Sequence, residues 1–275
     1  MKSFICITGA TGGLGKAFAA ECASRGWDLF LTDISQEALH SLAKGLSSTY
    51  EVKVKYHPCD LADYASRTEL FEYMQSNAME FNGLINIAGL DYEGAFGDRT
   101  REQIRNILRV NIEGNLEMTF GILKRRDRAQ QFIIINVASL AAFYPMPLKA
   151  MYAASKRFLL NFSMALSEEL RPMGVTVTAL CPAGMPTTAE CIEAIDAQGF
   201  LGRLTTKDVG YVASKTIDKA LKGRSVYIPG IFNRVIRFLG SLMPPAAVAR
   251  ILYGRWNSAQ HKKEALESEK VQYGY

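Results

Sequence analysis

Short runs of apolar residues alternate with longer, helix-like segments along the first 230 residues of the chain. The short runs have the length of strands and are rich in β-branched residues, which favour β-structure. Because parallel strands need a crossover connection, usually a helix, this alternation predicts an α/β fold. We expect a doubly wound parallel sheet with helices on both faces. The predicted strands are Phe4–Thr8, Asp28–Thr32, Val52–His57, Gly83–Ile87, Phe132–Val137, Val175–Leu180 and Ser225–Ile228.

Helical periodicity accounts for most of the remaining sequence up to residue 230. A single domain is expected over residues 1–230, since α/β folds of this size often bury one undivided core. Residues 231–275 exceed what that core needs and are predicted to form a C-terminal extension. The predicted helices of the domain are Gly12–Arg25, Gln36–Leu46, Arg67–Asn77, Arg101–Arg125, Met151–Leu170 and Asp208–Lys222.

The C-terminal extension is predicted to contain two basic amphipathic helices, Ile231–Met243 and Ala246–Trp256, separated by Pro244-Pro245. Polar and basic residues share a narrow face and apolar residues occupy the rest, which suits contact with a membrane surface. A cover over an apolar pocket and packing against a neighbouring subunit are the alternatives. Peripheral membrane contact through residues 231–256 is therefore one of three expectations that the sequence leaves open.

Composition indicates the compartment and excludes some classes of function. Five cysteines are scattered without any CxxC pair, which argues against a disulfide or zinc framework and favours a reducing compartment. The first apolar run is too short for a secretory signal, and no apolar run is long enough to span a membrane. The net charge is +5, and the stretch from Arg224 to Lys263 has seven basic and no acidic residues. That stretch lacks a nucleic-acid reader motif, so we expect no nucleic-acid partner and a cytoplasmic protein, with membrane-surface association as the alternative.

The segment Thr8–Gly15 joins the first predicted strand to the first predicted helix. Glycines at such a junction permit a tight turn and let the backbone approach a pyrophosphate at the helix N-terminus. The strand–turn–helix context distinguishes the segment from a turn that is merely rich in glycine. We predict a Rossmann-type dinucleotide site whose turn residues are Gly9, Thr11, Gly13, Leu14 and Gly15.

Asp33 lies at the end of the second predicted strand. A carboxylate there can accept hydrogen bonds from the adenosine ribose hydroxyls, and it would repel a 2′-phosphate. No basic residue follows at position 34 or lies within Ala10–Leu14. NAD(H) is therefore favoured over NADP(H), which stays open as the alternative. Asp60 ends the third predicted strand and is expected either to hydrogen-bond the adenine or to cap the next helix.

Tyr152 and Lys156 are four residues apart in a predicted helix and therefore share one face of it. A phenol is a poor acid or base at neutral pH, but an adjacent positive charge favours its ionised form. The pair could therefore transfer protons. Taken alone, such a pair is more often an exposed one on a helix surface, so its role depends on what the rest of the chain places beside it.

The order of several motifs resembles that of the short-chain dehydrogenase/reductase family, in its shorter, single-domain branch. The resemblance spans residues 4 to about 190, and the distance in sequence from Ser139 to Tyr152 fits the family. The matching motifs are the turn Thr8–Gly15, Asp60-Leu61, Asn86-Ile87-Ala88-Gly89, Val110-Asn111, Ser139, Tyr152-x-x-x-Lys156 and Pro182-x-x-x-x-Thr187.

The resemblance implies an oxidoreductase and a role for each motif residue. Tyr152 would exchange a proton with the alcohol or carbonyl oxygen of the substrate, and Ser139 would hydrogen-bond that oxygen. Lys156 would bind the nicotinamide ribose and make Tyr152 a better acid and base, while Asn111 would hold a water that continues the proton relay. The other motif residues would line the cofactor site: Asp60, Leu61, Asn86, Ala88, Gly89, Pro182 and Thr187.

Three departures from the family pattern are visible. Ile87 stands where the family usually has a second Asn, so one loop hydrogen bond must be made otherwise. Ala183 follows Pro182, and the glycine expected there comes one place later, which puts the nicotinamide-side loop in doubt. The glycine-rich turn also fits the pattern of the family's longer sugar-nucleotide branch, but too little chain follows Thr187 for that branch's substrate domain.

The segments expected to line the substrate pocket are mainly apolar. Ala189–Leu204 occupies the position of the family's substrate lid, and Phe143–Met146 would form the opposite wall. A small hydrophobic alcohol or ketone, lipid-, steroid- or acyl-like, is the expected substrate, unless these side chains only pack the lid onto the body.

The resemblance also implies a homodimer or homotetramer. A non-catalytic dinucleotide-binding sensor or scaffold is the alternative function, and epimerisation or dehydration is a more distant one.

Overall fold

A computed structural model describes residues 3–185 and 205–254 of the chain. Seven parallel strands form one sheet in the order β3-β2-β1-β4-β5-β6-β7. This order confirms the predicted doubly wound, Rossmann-type α/β fold. The strands are β1 (Phe4–Thr8), β2 (Leu29–Asp33), β3 (Val54–Pro58), β4 (Phe81–Asn86), β5 (Phe132–Val137), β6 (Val175–Leu180) and β7 (Val226–Tyr227).

Helices cover both faces of the sheet, as a parallel sheet requires. Their bounds lie within a few residues of the predicted ones, except where described below. In chain order the helices are α1 (Gly13–Ser24), α2 (Gln36–Tyr50), α3 (Tyr64–Ser76), α4 (Arg101–Leu108), α5 (Asn115–Lys124), α6 (Ala150–Leu170), α7 (Val209–Leu221) and α8 (Ile231–Ser241), and a further helix, α9, covers residues 245–254.

The central strand β1 shows how the core is divided into two layers. All five of its residues are buried, and successive side chains point to opposite faces. Ile5 and Ile7 pack in one apolar cluster with Phe18 of α1. Cys6 packs in the other cluster, with Leu70 of α3 and residues of α5 and α6. Both faces of the sheet are therefore covered by apolar side chains around β1.

The chain changes direction across the sheet at β1, which pairs with β2 on one side and β4 on the other. In open parallel sheets, ligands bind at the carboxyl ends of the strands beside such a switch point. Three predicted elements of the site lie at the carboxyl ends of these strands: the turn after β1, Asp33 at the end of β2, and the loop after β4. The topology therefore brings the predicted dinucleotide residues together.

Helix α2 is longer than predicted and runs to Tyr50 instead of ending at Leu46. Ser48 and Thr49 donate their hydroxyls to the carbonyl of Gly45 at 3.0 and 2.8 Å, so both polar side chains are satisfied within the helix. Glu51, whose φ of 54° is left-handed, ends the helix. The last turn is polar, so the apolar periodicity of the sequence did not predict it.

The predicted single helix Arg101–Arg125 is interrupted by a π-helical segment, Arg109–Gly114. Such widened turns leave backbone carbonyls without their usual partners and are frequent at functional sites. Asn115 compensates here, because its side-chain amide donates to the carbonyls of Val110 and Asn111 at 3.0 and 3.2 Å. The segment contains Asn111, one of the predicted site residues.

Helix α8 packs against the short 3₁₀ helix Leu140–Phe143. The hydroxyl of Tyr144 donates to the carbonyl of Ile236 at 2.9 Å and so ties α8 to the segment after Ser139. Within the described residues, no helix combines the length and the apolar character that crossing a membrane requires.

Candidate active site

The turn between β1 and α1 is built so tightly that two of its glycines have no room for a side chain. Gly9 has a φ of 64°, and a Cβ there would lie 2.8 Å from the backbone nitrogen of Ala88. A Cβ on Gly15 would lie 2.0 Å from the carbonyl oxygen of Gly9. At the start of α1 the N-cap is Gly12, which has no side chain to accept from the N–H groups of the first turn. The backbone N–H groups of this first turn are therefore suited to a phosphate group, which fits the predicted dinucleotide.

The loop after β4 is fixed to this turn by Thr8. Its hydroxyl oxygen accepts from the backbone nitrogens of Ile87 and Ala88 at 3.1 and 3.3 Å. These two hydrogen bonds hold the loop against β1. The loop therefore does not require the hydrogen bond of the family's second Asn, whose position Ile87 occupies here. The side chain of Ile87 instead packs on the apolar core.

Asp33 occupies the end of β2 and faces the glycine-rich turn. One of its carboxylate oxygens accepts two hydrogen bonds from Thr11, from the backbone nitrogen at 2.8 Å and from the hydroxyl at 2.7 Å. The other oxygen accepts from the backbone nitrogen of Ile34 at 2.8 Å. An ionised carboxylate has about four acceptor positions, so Asp33 retains capacity for a ribose hydroxyl. Ile34, next to it, is 71% exposed and adds no positive charge.

Asp60 lies after β3 but does not cap α3. Its carboxylate accepts from the backbone nitrogen of Ala62 at 2.8 Å, whereas the N-cap of α3 is Asp63. The capping alternative for Asp60 was therefore wrong, because the loop places a second Asp three residues later. Its contact with an adenine stays a prediction. Leu61 is buried and packs against Gly114 of the π-helical segment.

Asn86 is buried below the surface of the cleft, at the end of β4. Its amide donates to the side-chain oxygens of Asn136 and Thr119 at 2.9 and 3.1 Å. Asn136 in turn donates to Ser163 of α6 at 2.9 Å. These contacts connect β4, β5, α5 and α6 below the site. The side-chain oxygen of Asn86 has no hydrogen-bond partner within the described structure, and its role toward a cofactor stays a prediction.

Lys156 is buried in α6 with its ammonium directed at the cleft. It is 3% exposed, and Nζ donates to the carbonyl oxygen of Val137 at 2.8 Å. Burial lowers the pKa of Lys156 to about 8, while the negative charge of Asp91 acts in the opposite direction. The same Nζ lies 5.7 Å from the centre of the Tyr152 ring. The predicted pair is thus part of a buried site and not a pair on an exposed helix surface.

Asn111 and Gly89 complete the surroundings of Lys156. A Cβ on Gly89 would lie 3.0 Å from Nζ of Lys156 and 3.4 Å from the side-chain oxygen of Asn111. The Asn111 side chain bonds both backbone groups of Leu90, at 2.7 and 2.9 Å, and donates to the hydroxyl of Ser155 at 3.0 Å. Asn111 therefore joins the π-helical segment, the loop after β4 and α6 directly beside the ammonium.

Ser139 follows β5 and caps the short 3₁₀ helix Leu140–Phe143. Its hydroxyl oxygen accepts from the backbone nitrogen of Ala141 at 3.1 Å, which leaves the hydroxyl proton for another acceptor. Leu140 donates to the carbonyl of Pro182 at 2.7 Å and so joins this wall to the loop after β6. Among the described residues Ala183 is not one of the few non-glycine residues with positive φ, so it occupies its position without strain. Thr187 and the predicted lid lie outside the described residues.

An apolar cavity of about 210 Å³ lies between the loop after β4, helix α4 and the start of α6. Phe96, Ile104, Ile107 and Leu148 line it, together with Met151, which precedes Tyr152. The hydrogen bond from Gly94 to the carbonyl of Leu148 at 2.8 Å closes one side. An apolar group thus has room beside the N-terminal turn of the helix that carries Tyr152.

Comparison with known proteins agrees with this geometry. The sequence pattern described as short chain dehydrogenase matches residues 3–193, more than half of the chain. The protein belongs to the short-chain dehydrogenase family. This membership covers the dinucleotide turn, the cleft and all the predicted site residues.

Two curated relatives indicate the kind of enzyme to which the chain is similar. It is 30% identical over 182 residues to very-long-chain 3-oxoacyl-CoA reductase-A of Danio rerio, covering 64% of this chain and 56% of the relative. It is 30% identical over 191 residues to 17-beta-hydroxysteroid dehydrogenase type 3 of Homo sapiens, covering 68% of this chain and 60% of the relative. The chain therefore spans little more than half the length of these relatives.

Two solved structures share the fold over nearly the whole chain. A structure from a study of 7beta-hydroxysteroid dehydrogenase stereoselectivity has a TM-score of 0.82 and 22% identity, covering 91% of this chain and 96% of that one. A short-chain dehydrogenase from Sphingobium yanoikuyae in complex with NADPH has a TM-score of 0.72 and 25% identity, covering 97% and 95%. These solved structures thus share the fold over more than nine tenths of this chain.

The sequence reasoning missed a second cation beside Tyr152. Lys149 precedes α6 and its Nζ lies 5.9 Å from the centre of the Tyr152 ring. Asp91 and Glu93, on the loop after β4, pair with it at 2.6 and 3.3 Å. The predicted helix begins at Met151, so the helical spacing that joins Tyr152 to Lys156 did not extend to Lys149.

Proposed function

We propose that this protein is an oxidoreductase that interconverts a secondary alcohol and a ketone on a hydrophobic substrate, with NAD(H) as its preferred dinucleotide. One observation carries the proposal: the ammonium of Lys156 is buried with its nitrogen 5.7 Å from the centre of the Tyr152 ring, and it occupies the space where a Cβ on Gly89 would lie. A buried cation is costly unless it has a function or a partner, and here it lies beside the ring of Tyr152.

The chain's own residues account for the proton transfer. A cation beside a phenol favours the phenolate, so Lys156 makes Tyr152 a usable acid and base near neutral pH. During reduction, Tyr152 gives its proton to the carbonyl oxygen of the substrate, and during oxidation it takes the proton from the alcohol. Ser139 accepts from the backbone nitrogen of Ala141, so its hydroxyl proton can be donated to the same oxygen of the substrate.

The dinucleotide, when bound, supplies or accepts the hydride. The turn at Gly9–Gly15 would hold its pyrophosphate, and Asp33 would hold the adenosine ribose. Lys156 has three N–H donors, of which the carbonyl of Val137 takes one, so others remain for the nicotinamide ribose. Leu90 and Ser155 hold the Asn111 side chain beside this ammonium, where a water could continue the proton path.

The preference for NAD(H) rests on Asp33. A carboxylate at the end of β2 would repel a 2′-phosphate, and the adjacent Ile34 supplies no compensating charge. The similar Sphingobium yanoikuyae structure is an NADPH complex, so the two dinucleotides must be compared directly. The charge at Asp33 favours NAD(H) in that comparison.

The hydrophobic substrate class is supported by the walls of the cleft and by the relatives. Phe143 and Tyr144 follow Ser139, and the apolar cavity beside Met151 lies on the other side of the α6 N-terminus. The similar enzymes named above are a 3-oxoacyl-CoA reductase and a hydroxysteroid dehydrogenase, both named for lipid-like substrates. A ketone or secondary alcohol on a steroid-like or acyl-like framework is the class to test first.

A homodimer or homotetramer remains our expectation for the assembly. Large apolar side chains are exposed along the middle helices, at Leu108, Phe120, Phe158 and Met164. Exposed apolar residues on neighbouring helices suit an interface between copies of the chain. Light scattering coupled to size-exclusion chromatography would determine the assembly, and a monomer would contradict this part of the proposal.

The decisive experiment compares wild type with Tyr152→Phe on a panel of hydrophobic ketones and secondary alcohols, using both NAD(H) and NADP(H). The variant removes only the phenolic oxygen, so turnover should fall by at least about a hundredfold while dinucleotide binding persists. Tyr64→Phe, at a 69% exposed position, is the matched control and should retain full activity. Undiminished turnover in Tyr152→Phe would remove Tyr152 from the mechanism. Dinucleotide binding by wild type without turnover on any substrate would favour a sensor instead.

A further inference from the structure

Helix α8 carries its large apolar side chains on the side that faces away from the protein. Ile231, Val235, Phe238 and Leu242 follow a spacing of four, three and four residues, which forms one stripe along a helix. They are 74%, 44%, 58% and 68% exposed, and the adjacent Leu239 is 55% exposed. We call these five residues the outer stripe. It is the reverse of an ordinary surface helix, whose apolar face points to the core.

The opposite face of α8 is held to the domain by specific contacts. Asn233 is fully buried, and its amide donates to the carbonyls of Thr205 and Pro229 at 2.9 and 2.8 Å. Gly240 lies against the Tyr144 ring, where a Cβ would come within 2.4 Å of a ring carbon. The guanidinium of Arg237 lies 5.1 Å from the centre of the Phe143 ring. The exposed position of the outer stripe is therefore fixed by the packing on the other side.

The apolar exposure is concentrated in this part of the protein. Within the described residues, eight of the seventeen large exposed apolar side chains belong to residues 231–254. Beyond the outer stripe, Met243 between the two helices and Ile251 and Tyr253 of α9 are also exposed. Large exposed apolar side chains concentrated in one segment are uncommon on a protein without a partner for them.

The charged side chains that α8 and α9 themselves carry are all basic. Arg234 and Arg250 are exposed on α8 and α9, and the sequence from Arg224 to Lys263 contains seven basic and no acidic residues. A second copy of this surface would bring the same positive charge against itself, because a twofold interface pairs identical patches. Anionic lipid head groups complement both the charge and the apolar side chains.

We propose that α8 and α9 form a docking surface for an anionic lipid bilayer. The outer stripe enters the boundary between head groups and acyl chains, and Arg234 and Arg250 contact the head groups. The contacts from α8 to Tyr144 and Phe143 then hold the wall beside Ser139 next to the bilayer. A lipid-like substrate could reach the cleft from the membrane without crossing water.

Flotation of the full-length protein with lipid vesicles tests this proposal, without substrate or dinucleotide, and so independently of the proposed activity. We expect binding to vesicles of phosphatidylcholine with phosphatidylserine, and much weaker binding to phosphatidylcholine alone. The double variant Phe238→Glu/Leu242→Glu should lower the partition coefficient by about a hundredfold, since two large apolar side chains are replaced by anions. Arg234→Gln/Arg250→Gln should lower it by roughly thirtyfold.

Met173→Glu is the matched control, because Met173 is an exposed apolar residue in the turn between α6 and β6. It should bind vesicles like wild type, and all variants should keep the wild-type melting temperature because the altered side chains are exposed. Wild type that fails to bind anionic vesicles would overturn the proposal, as would full binding by the Phe238→Glu/Leu242→Glu variant. Conversion of an oligomer to a monomer by that variant, with vesicle binding unchanged, would assign the surface to a second copy instead.

Discussion

The ammonium nitrogen of Lys149 lies 5.9 Å from the centre of the Tyr152 ring, while that of Lys156 lies 5.7 Å from it. The phenol of Tyr152 is thus near two cations, of which only Lys156 belongs to the family motif. Lys149 differs from Lys156 in having anionic partners, Asp91 and Glu93, on the loop after β4. These partners raise the pKa of Lys149, so it keeps its charge through the pH range in which Lys156 loses its own.

Replacing Lys149 by Met should move the pH dependence of alcohol oxidation. Tyr152 acts as the base in that direction, and a neighbouring cation favours its ionised form. Without Lys149, the rising limb of kcat/KM should shift to higher pH, by less than about one unit because Asp91 already offsets part of the charge. Lys149→Arg should keep the wild-type limb. A uniform loss of kcat/KM with an unmoved limb would show that Lys149 only holds the loop in place.

Lys156→Met should make the protein more stable while inactivating it. Burial lowers the pKa of Lys156 from 10.5 to about 8, so at neutral pH the folded state holds a charge that it disfavours. That difference corresponds to roughly 3 kcal/mol. Between about pH 8 and 10.5 the unfolded chain binds the proton and the folded chain does not, so wild-type stability rises with pH there.

The advantage of the Met variant should therefore be largest below about pH 8 and should shrink as the pH rises toward 10.5. Chemical unfolding of both proteins at several pH values would measure it, and Lys44→Met, at an exposed position on α2, should show no such trend. A difference that does not change with pH would mean that the Lys156 ammonium is not disfavoured by folding.

Asp33→Ser should reverse the preference between dinucleotides. The substitution removes the carboxylate that accepts from Thr11 and would bind the ribose, and it also removes the repulsion of a 2′-phosphate. We expect kcat/KM for NADH to fall about tenfold to a hundredfold, while that for NADPH stays constant or rises. Steady-state kinetics with each dinucleotide would measure the ratio. Faster turnover of wild type with NADPH than with NADH would refute the role given to Asp33.

Two glycine-to-alanine changes should affect different properties: Gly15→Ala should lower the dinucleotide affinity, and Gly45→Ala should raise the stability. In Gly15→Ala the new Cβ would meet the Gly9 carbonyl, so the turn must distort and dinucleotide affinity should fall by at least about tenfold. In Gly45→Ala, within α2, the new Cβ meets no atom within 4 Å, so stability should rise by about 1 kcal/mol. Thermal unfolding and dinucleotide titration of both variants would check the pair. Equal effects on both properties would contradict the packing described for the turn.

Local signals allowed most of the fold and the centre of the site to be predicted from sequence. The strands and the glycine-rich turn depend on residues close together in the chain, and helical spacing placed Tyr152 with Lys156. The π-helical segment was not predictable in this way, because Asn115 supports it by donating to carbonyls that a regular helix would have used. The identity of the α3 cap was also missed, since Asp60 and Asp63 are equally good caps by residue type.

The burial of Lys156 and the pairing of Lys149 with Asp91 depend on contacts between distant segments. Val137, whose carbonyl accepts from Lys156, comes from β5, and Asp91 comes from the loop after β4. No local pattern gives their distances. The sequence pattern also could not predict which face of α8 is exposed. The helix is apolar on most sides, so only tertiary contacts determine its orientation.

Asn233 determines that orientation. In the observed rotational setting of the helix, the amide nitrogen of Asn233 donates to the carbonyls of Thr205 and Pro229, while its buried side-chain oxygen has no hydrogen-bond partner among the described residues. A shift by one residue would turn the helix by about 100° and leave both carbonyls without their donor. The buried amide thus selects one packing arrangement for a helix whose apolar residues would allow several. This selection costs the folded protein some stability. The outward display of apolar side chains along α8 is in this sense encoded by a residue on its inner side.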